Sequence, residues 1–484
     1  MSSAPERLSF REKFAYGLGD TASNFYFALF NGFLVYYYTD VFGLTPAAAG
    51  SVAGLVPTFV SWLIPLIGIL ADRTHTRWGQ FRPYLLWGAL PYGVCGYLMF
   101  SNPTLSPSAK IVFAYATYAL TLIAYLVINT PYSALMGVMS PSSAERTGLS
   151  AYRFACAFTG GLIIGTYVPW LKDHFGANEA DSFSNMLIVF ATVSVAMFLY
   201  TFWNTRERVA APASAQQSVW TDLRDLSRNA PWLILFFAGF LTLANVGLRA
   251  GATVYYFKYI VGDDALRGFD ELFGPFARVL GFLKISSSGL GLYNFAGGLA
   301  FIIGSLCTKL FLRFFPRRPL MIWLTILNAL AMAAFYVADP HNLAVLAALN
   351  IFASFVAGPT PAIVWSFYAD TADYGEWKFH RRSTGLVFSA AVLAQKIGLA
   401  LGTALLGWLL SHYGYVANAV QTPRAISGIY VVFAVLPGTF ALLSGLAIFF
   451  YRLDDPTVKQ IEQDLAARKA AAEPVEVTIK KFFA

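Results

Sequence analysis

The chain has 484 residues, of which 57% are hydrophobic and only 12% charged, and its mean hydropathy is +0.57. Soluble globular domains carry roughly 25% charged residues, so this composition excludes a soluble protein of two or three domains. The net charge of +8 lies in short gaps between apolar runs and forms no stripe, which excludes a nucleic-acid face and fits the basic loops of a membrane protein.

An apolar run of about 20 residues spans the hydrocarbon core of a bilayer. About twelve such runs are legible, over 14–37, 46–71, 83–100, 109–137, 149–171, 184–203, 231–258, 289–312, 318–338, 343–368, 384–410 and 427–451. The first follows a polar start, MSSAPERLSFREKF, and is too long and too rich in tyrosine for a cleaved signal peptide. It carries Asp20, Asn24 and Asn31, which at ~100° per residue fall within roughly 40° of one another. Such a polar stripe faces the protein interior, either packing helices or binding a solute. The second run ends in a hairpin, GILADRTHTRWGQFRP. Its Gly68-x-x-x-Asp72-Arg73 with Arg77 matches the loop signature of the major facilitator superfamily. A small Gly lets two helices approach closely, and the Asp and Arg side chains can latch a gate. Ordinary basic-loop charge is the alternative, and the spacing favours the latch. Further along, Asn129 and Arg153 sit within spans four and five.

The polar segment 204–230 then separates six spans from six. This predicts two pseudo-symmetric six-helix bundles, 1–203 and 231–451, with a cytoplasmic linker at 204–230 and a cytoplasmic tail at 452–484. In the second half Asn245 and Arg249 lie in span seven, Asn294 in span eight, and Gln395 and Lys396 in span eleven. A lone cation near mid-bilayer costs at least ~2.5 kcal/mol, so Lys396 needs an anion, carbonyls, water or a solute. The aromatic residues Trp365, Tyr368, Tyr125, Tyr132 and Tyr26 would suit stacking on a sugar ring, although packing is the commoner role. Gly161-x-x-x-Gly165 and Gly398-x-x-x-Gly402 read as close helix contacts. The 259–288 loop is an interfacial helix or an ordered loop.

Loop charge sets the orientation. Arg73, Arg77 and Arg82, then Arg206, Arg208, Arg224 and Arg228, then Arg313, Arg317 and Arg318, then Lys378, Arg381 and Arg382 occupy alternate gaps. The gaps 38–45 and 339–342 have no Lys or Arg, and 411–426 has only Arg424. Both termini are therefore expected in the cytoplasm of a bacterial inner-membrane protein. No catalytic or metal cluster emerges. The cysteines Cys95, Cys156 and Cys307 lie in apolar runs, the five histidines never pair at ligand spacing, and no Walker A loop or nucleophile elbow occurs.

Several stretches together resemble the glycoside-pentoside-hexuronide:cation symporter family, typified by melibiose permease: YGLGD (16–20), YYYTDVFGL (36–44), ADRTHTRWGQFRP (71–83), NTPYSALMG (129–137), YYFKYIVGD (255–263) and ADTADYGEW (369–377). The resemblance implies a major facilitator fold that imports a sugar with sodium or a proton. It implies that Lys396 stands for the family's helix-11 lysine and Arg153 for its helix-5 arginine. Asn24 and Asn129 stand where sugar-binding aspartates occur. The chain departs from the family in helix 2, where VPTFVSWLIPLIG (56–68) puts Val60 and Ile64 at the cation-site aspartates and Pro57 at the arginine.

These readings converge on a sugar or glycoside transporter working by alternating access, a monomer in the bilayer with no cofactor. Asn24, Asn129, Arg153, Gln395, Lys396 and Trp365 are the substrate-site candidates, and Asp20 is the candidate proton carrier. Asp72, Arg73, Arg77, Asp370, Asp373 and Glu376 are the gate candidates. The alternatives are an ion-independent facilitator and an organic-anion (uronide) carrier. A sensor and a membrane enzyme fit less well.

Overall fold

A chain in lipid has no water to satisfy its amides, so each crossing forms a helix that satisfies them internally. The computed structural model describes residues 8–140, 143–208, 224, 226–262, 289–379, 384–465 and 467–468, and among these the one extended pairing is a bridge between Thr76 and Gly79. Most of the expected linker 204–230, most of the 259–288 loop and the end of the 452–484 tail lie outside the described residues.

Helix α1 (Phe10–Tyr36) starts on a capping box between Ser9 and Glu12. It runs without a break into a π-helical turn, Tyr37–Val41, in which the Phe42 amide donates to the Tyr37 carbonyl at 2.8 Å. Thr45 caps α2 (Pro46–Val60), with proline at its first position. A 3₁₀ step at Ser61–Leu63 joins α2 to α3 (Ile64–Asp72). Proline at position 65 has no amide to close on the Ser61 carbonyl, which accounts for the step. The first half is completed by α4 (Arg82–Met99), α5 (Pro107–Met139), α6 (Ser143–His174) and α7 (Glu179–Asn204).

The second half opens with α8 (Ala230–Tyr256), which also ends in a π-helical turn, Phe257–Val261. There follow α9 (Gly289–Leu306), α10 (Thr308–Phe314), α11 (Arg317–Ala334), α12 (Leu343–Ala357), α13 (Thr360–Phe379), α14 (Thr384–His412), α15 (Pro423–Tyr430) and α16 (Leu436–Phe449). The pairs α2/α3, α9/α10, α12/α13 and α15/α16 each make one crossing, so the helices fit the twelve expected spans. Among the described residues nine segments are long and apolar enough to cross a membrane on their own. The other three spans are α1, α4 and α11, each with basic residues in its first turns. Phe59, Trp62, Leu66, Leu70, Trp87, Leu90 and Trp323 stand exposed on the outside, a surface that only lipid would leave stable.

We call the end with the chain termini proximal and the other distal. The contacts that join the halves cluster in the distal part of the helices. Trp408 Nε1 donates to Ser51 Oγ at 3.0 Å, and Asn294 Nδ2 donates to the Gly165 carbonyl at 2.9 Å. Helices α2 and α14 approach so closely that a Cβ on Gly50 would lie 2.6 Å from the Ala404 carbonyl oxygen. Gly50→Val should therefore wedge α2 from α14. The expected result is loss of disulfide cross-linking between cysteines placed at Ser51 and Trp408, with transport falling in step; undiminished cross-linking would show that the approach is not needed.

Candidate functional site

The polar stripe of α1 faces inward, as its spacing predicts. Asp20 is buried and its Oδ2 lies 3.2 Å from Arg153 Nε on α6. Arg153 also donates to Ser133 Oγ at 3.3 Å and covers the Tyr132 ring at 5.3 Å. Tyr132 and Tyr16 stack at 4.6 Å and donate to each other's backbone carbonyls, so the pair rests on a rigid aromatic floor. Asn24 donates its amide to the Asp20 carbonyl at 2.8 Å. Asn129 is buried, accepts from Ser23 Oγ at 2.9 Å and donates to the Tyr125 carbonyl at 3.2 Å. It ties α5 to α1 and lines neither cavity described next.

Two cavities flank α1 between the halves. The smaller, about 100 Å³, lies among α1, α2, α5 and α14, lined by Asn31, Pro57, Val60, Ser61, Tyr125 and Lys396 among others. The larger, about 410 Å³, lies among α1, α6, α8 and α9, with Asn24, Asn31, Phe158, Gly161 and Asn294 in its wall. Phe27 and Asn31 belong to both. Lys396 is half-buried in the smaller cavity, and among the described residues it makes no hydrogen bond or ion pair. A cation so placed is a ready anchor for an anion or a hydroxyl. Its neighbour Gln395 lies beside Tyr368 against Gly239 and lines neither cavity. Trp365 does not reach either cavity; it stacks on Phe388 at 5.7 Å.

Arg249, noted for its depth in span seven, is a structural cation. It donates to the Phe433 carbonyl at 2.7 Å and to Tyr293 Oη at 3.3 Å, and it covers the Phe433 ring at 4.3 Å. Of the two glycine pairs expected at close contacts, Gly398 and Gly402 do press on the backbone of Phe240 and Ala244. The other pair does not. A Cβ on Gly161 would meet nothing within 4 Å, and one on Gly165 would touch Asn294 at an ordinary 3.5 Å.

The gate candidates divide. The Asp72 side chain lies outside the described residues. Arg73 is exposed, and Arg77 covers the Trp78 ring at 4.5 Å. The hairpin is held instead by Glu207, whose carboxylate accepts from the amides of Gln80, Phe81 and Arg82 at 2.8 to 3.0 Å. Asp370 pairs with Arg317 at 2.9 Å, and Arg317 pairs with Asp455 at 2.6 Å. Arg317 and Asp370 lie in the second half and Asp455 in the tail that follows it, so this network ties the tail to one bundle and does not join the halves. Asp373 and Glu376 occupy the following turns of α13.

The strongest inter-half network was missed in the sequence. At the distal end Asp40, its side chain wholly buried, accepts from Lys258 Nζ at 2.8 Å, Tyr259 Oη at 2.8 Å, Tyr415 Oη at 2.8 Å and Thr39 Oγ1 at 2.6 Å. Asn418 Nδ2 donates to the Asp40 carbonyl at 2.8 Å, and Thr39 Oγ1 lies 2.8 Å from Tyr255 Oη. Lys258 also reaches Tyr36 Oη, which donates to Glu179 at 2.9 Å. The signal was present: an acid in a gap with no Lys or Arg, and tyrosine runs at the ends of spans one and seven.

Comparison with known proteins fits this geometry. The model of a family described as MFS/sugar transport protein matches residues 15–455. The chain belongs to this family. It is 33% identical to the inner membrane symporter YicJ of Escherichia coli (strain K12) over 96% of each chain. It is 31% identical to the glucuronide carrier protein homolog of the same organism, covering 96% of this chain and 97% of that one. Among solved structures, a D-xylose-proton symporter superposes with a TM-score of 0.61 at 14% identity, covering 91% of this chain and 97% of the other; this shows the fold alone. The MFS protein is thus a membrane transporter with the major facilitator fold, of the glycoside-pentoside-hexuronide:cation symporter kind, and not an enzyme.

Proposed function

We propose that this transporter carries a sugar or glycoside across the bacterial inner membrane by alternating access, with both termini cytoplasmic and with 1–203 and 231–451 as the two moving halves. One observation carries the reading: the halves are latched at the distal end, and the space behind the latch is lined by polar groups from both, Asn24 and Asn31 from one and Asn294 and Lys396 from the other. With the termini inside, this arrangement is closed to the outside. The curated relatives named as symporters support sugar traffic of this kind.

The coupling ion we propose is the proton. Val60 and Ile64 stand where the family's cation-site aspartates occur, and sodium needs oxygen ligands. Asp20 remains, paired with Arg153. Protonating Asp20 removes that pairing and frees the guanidinium for solute, so proton and solute binding favour each other. Asp20→Asn should lose proton-driven accumulation while keeping solute counterflow, both measured in proteoliposomes. An Asp20→Asn protein that still concentrates solute would end the proposal. The decisive experiment on function is uptake of labelled glycosides, pentoses and uronates under imposed proton or sodium gradients. Equal filling under every gradient would make the protein a facilitator, and no uptake of any compound would remove the sugar reading.

A second reading is favoured by Lys396. An unpartnered cation in the pathway suits a substrate with a carboxylate, so uronides are the sugars we expect to compete best.

A further inference from the structure

We propose that the proximal rim of the first half binds one anionic phospholipid, with its phosphate between Arg11 and Arg206 and an acyl chain in a groove along α7. Neither place lies in the cavities between the halves, and the inference does not depend on what is carried.

Three observations carry it. The first is charge. A cavity of about 410 Å³ opens between the start of α1 and the end of α7, lined by Arg11, Glu12, Trp203, Asn204, Arg206 and Arg208. Its one acid is spent: Glu12 accepts from Arg208 at 2.7 Å and from the Ser9 amide at 3.1 Å. Glu207 holds the hairpin amides and does not line the cavity. Arg11 and Arg206 are exposed, and among the described residues neither makes a hydrogen bond or ion pair. Arg11 also sits in the first turn of α1, where the helix dipole favours an anion. Two guanidinium groups that each offer a fork of donors suit a phosphate.

The second observation is position. Phe10, Phe14 and Trp203 stand exposed on the first turns of α1 and the last turn of α7. Large aromatic side chains next to basic ones at the end of a spanning helix mark the level of the headgroups. A soluble anion gains nothing from such a collar.

The third is a place for the tail. A groove of about 350 Å³ runs between α4 and α7 on the outer face of the same half, with Leu90, Val94, Tyr97, Ile188, Thr192 and Val195 in its wall. The Thr192 hydroxyl donates to the Ile188 carbonyl at 2.7 Å, which leaves the wall on α7 apolar. Thr192 and Trp203 are 11 positions apart, which on an α-helix is about 16 Å and within roughly 20° of three full turns. The groove and the arginine site therefore share one stripe of α7, separated by about one leaflet of a ~30 Å core. Ala196 and Tyr200, which lie between them on that stripe, are exposed. One lipid reaches both. Its headgroup charge is selected as well: phosphatidylethanolamine would bring an ammonium toward two arginines with no free carboxylate to receive it, whereas phosphatidylglycerol brings only its phosphate.

The test uses the full chain purified into micelles holding equal amounts of phosphatidylglycerol and phosphatidylethanolamine, with bound lipid counted by native mass spectrometry. The wild type should retain one phosphatidylglycerol, preferred by about tenfold or more, since each basic side chain at an anionic lipid surface contributes a factor of roughly five. Arg11→Gln combined with Arg206→Gln should abolish the preference. Arg452→Gln combined with Lys459→Gln, which removes the same charge from exposed positions in the tail, should leave it intact. Thr192→Trp, which fills the groove, should lower retention of phosphatidylglycerol. A preference that survives the double arginine variant would overturn the proposal, and retention unaffected by Thr192→Trp would remove the groove from it. Inorganic phosphate that displaces the lipid, or stabilises the protein against heat as well as the lipid does, would make this a site for a soluble anion and also overturn it. Should a variant fail to fold, thermal stabilisation of the wild type decides: equal shifts with the two lipids would end the proposal.

Discussion

Asparagine in place of Asp40 is expected to open the distal end and to cut net uptake by about tenfold or more, as the loss of one member of a buried charged network does. Four side-chain donors converge on this carboxylate, and Lys258, Tyr259 and Tyr415 come from the opposite half. An asparagine of the same shape offers one acceptor oxygen and turns two N–H donors toward groups that already donate. The outer-closed arrangement loses both charge neutralisation and hydrogen bonds, while an outward-open arrangement, in which Lys258 reaches water, loses little. The population therefore shifts outward. The measurement is labelling from outside by a membrane-impermeant thiol reagent at Thr253→Cys, which lines the larger cavity, in a background where Cys95, Cys156 and Cys307 are replaced. Faster labelling in the Asp40→Asn protein supports the latch; an unaltered rate would show that the α2–α14 packing alone holds the end shut.

Lys396→Met should separate stability from transport. The ammonium has no partner among the described residues, so its removal breaks no pair. Methionine fills much of the same volume and relieves the desolvation of a half-buried cation. Thermal stability of the empty protein should hold or rise. Uptake of uronides should fall about ten- to a hundredfold, since a hydrogen bond to a charged group is worth roughly 1.5–3 kcal/mol. Neutral glycosides should suffer less. A melting temperature that drops sharply would mean that Lys396 is a structural residue, and unaltered uronide uptake would remove it from the pathway.

The membrane class and the twelve spans were legible because the signal is dense: apolar length, few charges and basic gaps all repeat along the chain. The Asp20–Arg153 pair was half legible. Helical spacing puts Asp20, Asn24 and Asn31 on one face, but which cation meets Asp20 depends on how α1 crosses α6. Lys396 and Arg249 look alike in sequence, two cations deep in apolar runs. Packing alone separates them, since Arg249 reaches the Phe433 carbonyl and Tyr293, whereas Lys396 faces a cavity. The same holds for Gly161 and Gly398, each four positions before another glycine. One faces open space and the other lies against backbone. The Asp40 network joins residues more than 200 positions apart, and no local pattern announces such a meeting.

The π-helical turns at Tyr37–Val41 and Phe257–Val261 bear on how this region tolerates change. A π turn holds one residue more than the α-helix it interrupts, and one residue is worth ~100° of rotation about the axis. Asp40 sits inside the first turn, and Lys258 and Tyr259 sit inside the second, so their mutual aim depends on residue count as well as on identity. A single deletion before Asp40 would leave a good helix of nearly the same length and swing the carboxylate toward another side of the bundle. Most helix ends accept a gain or loss of a residue at a loop; these two are phased, and length there is as constrained as chemistry.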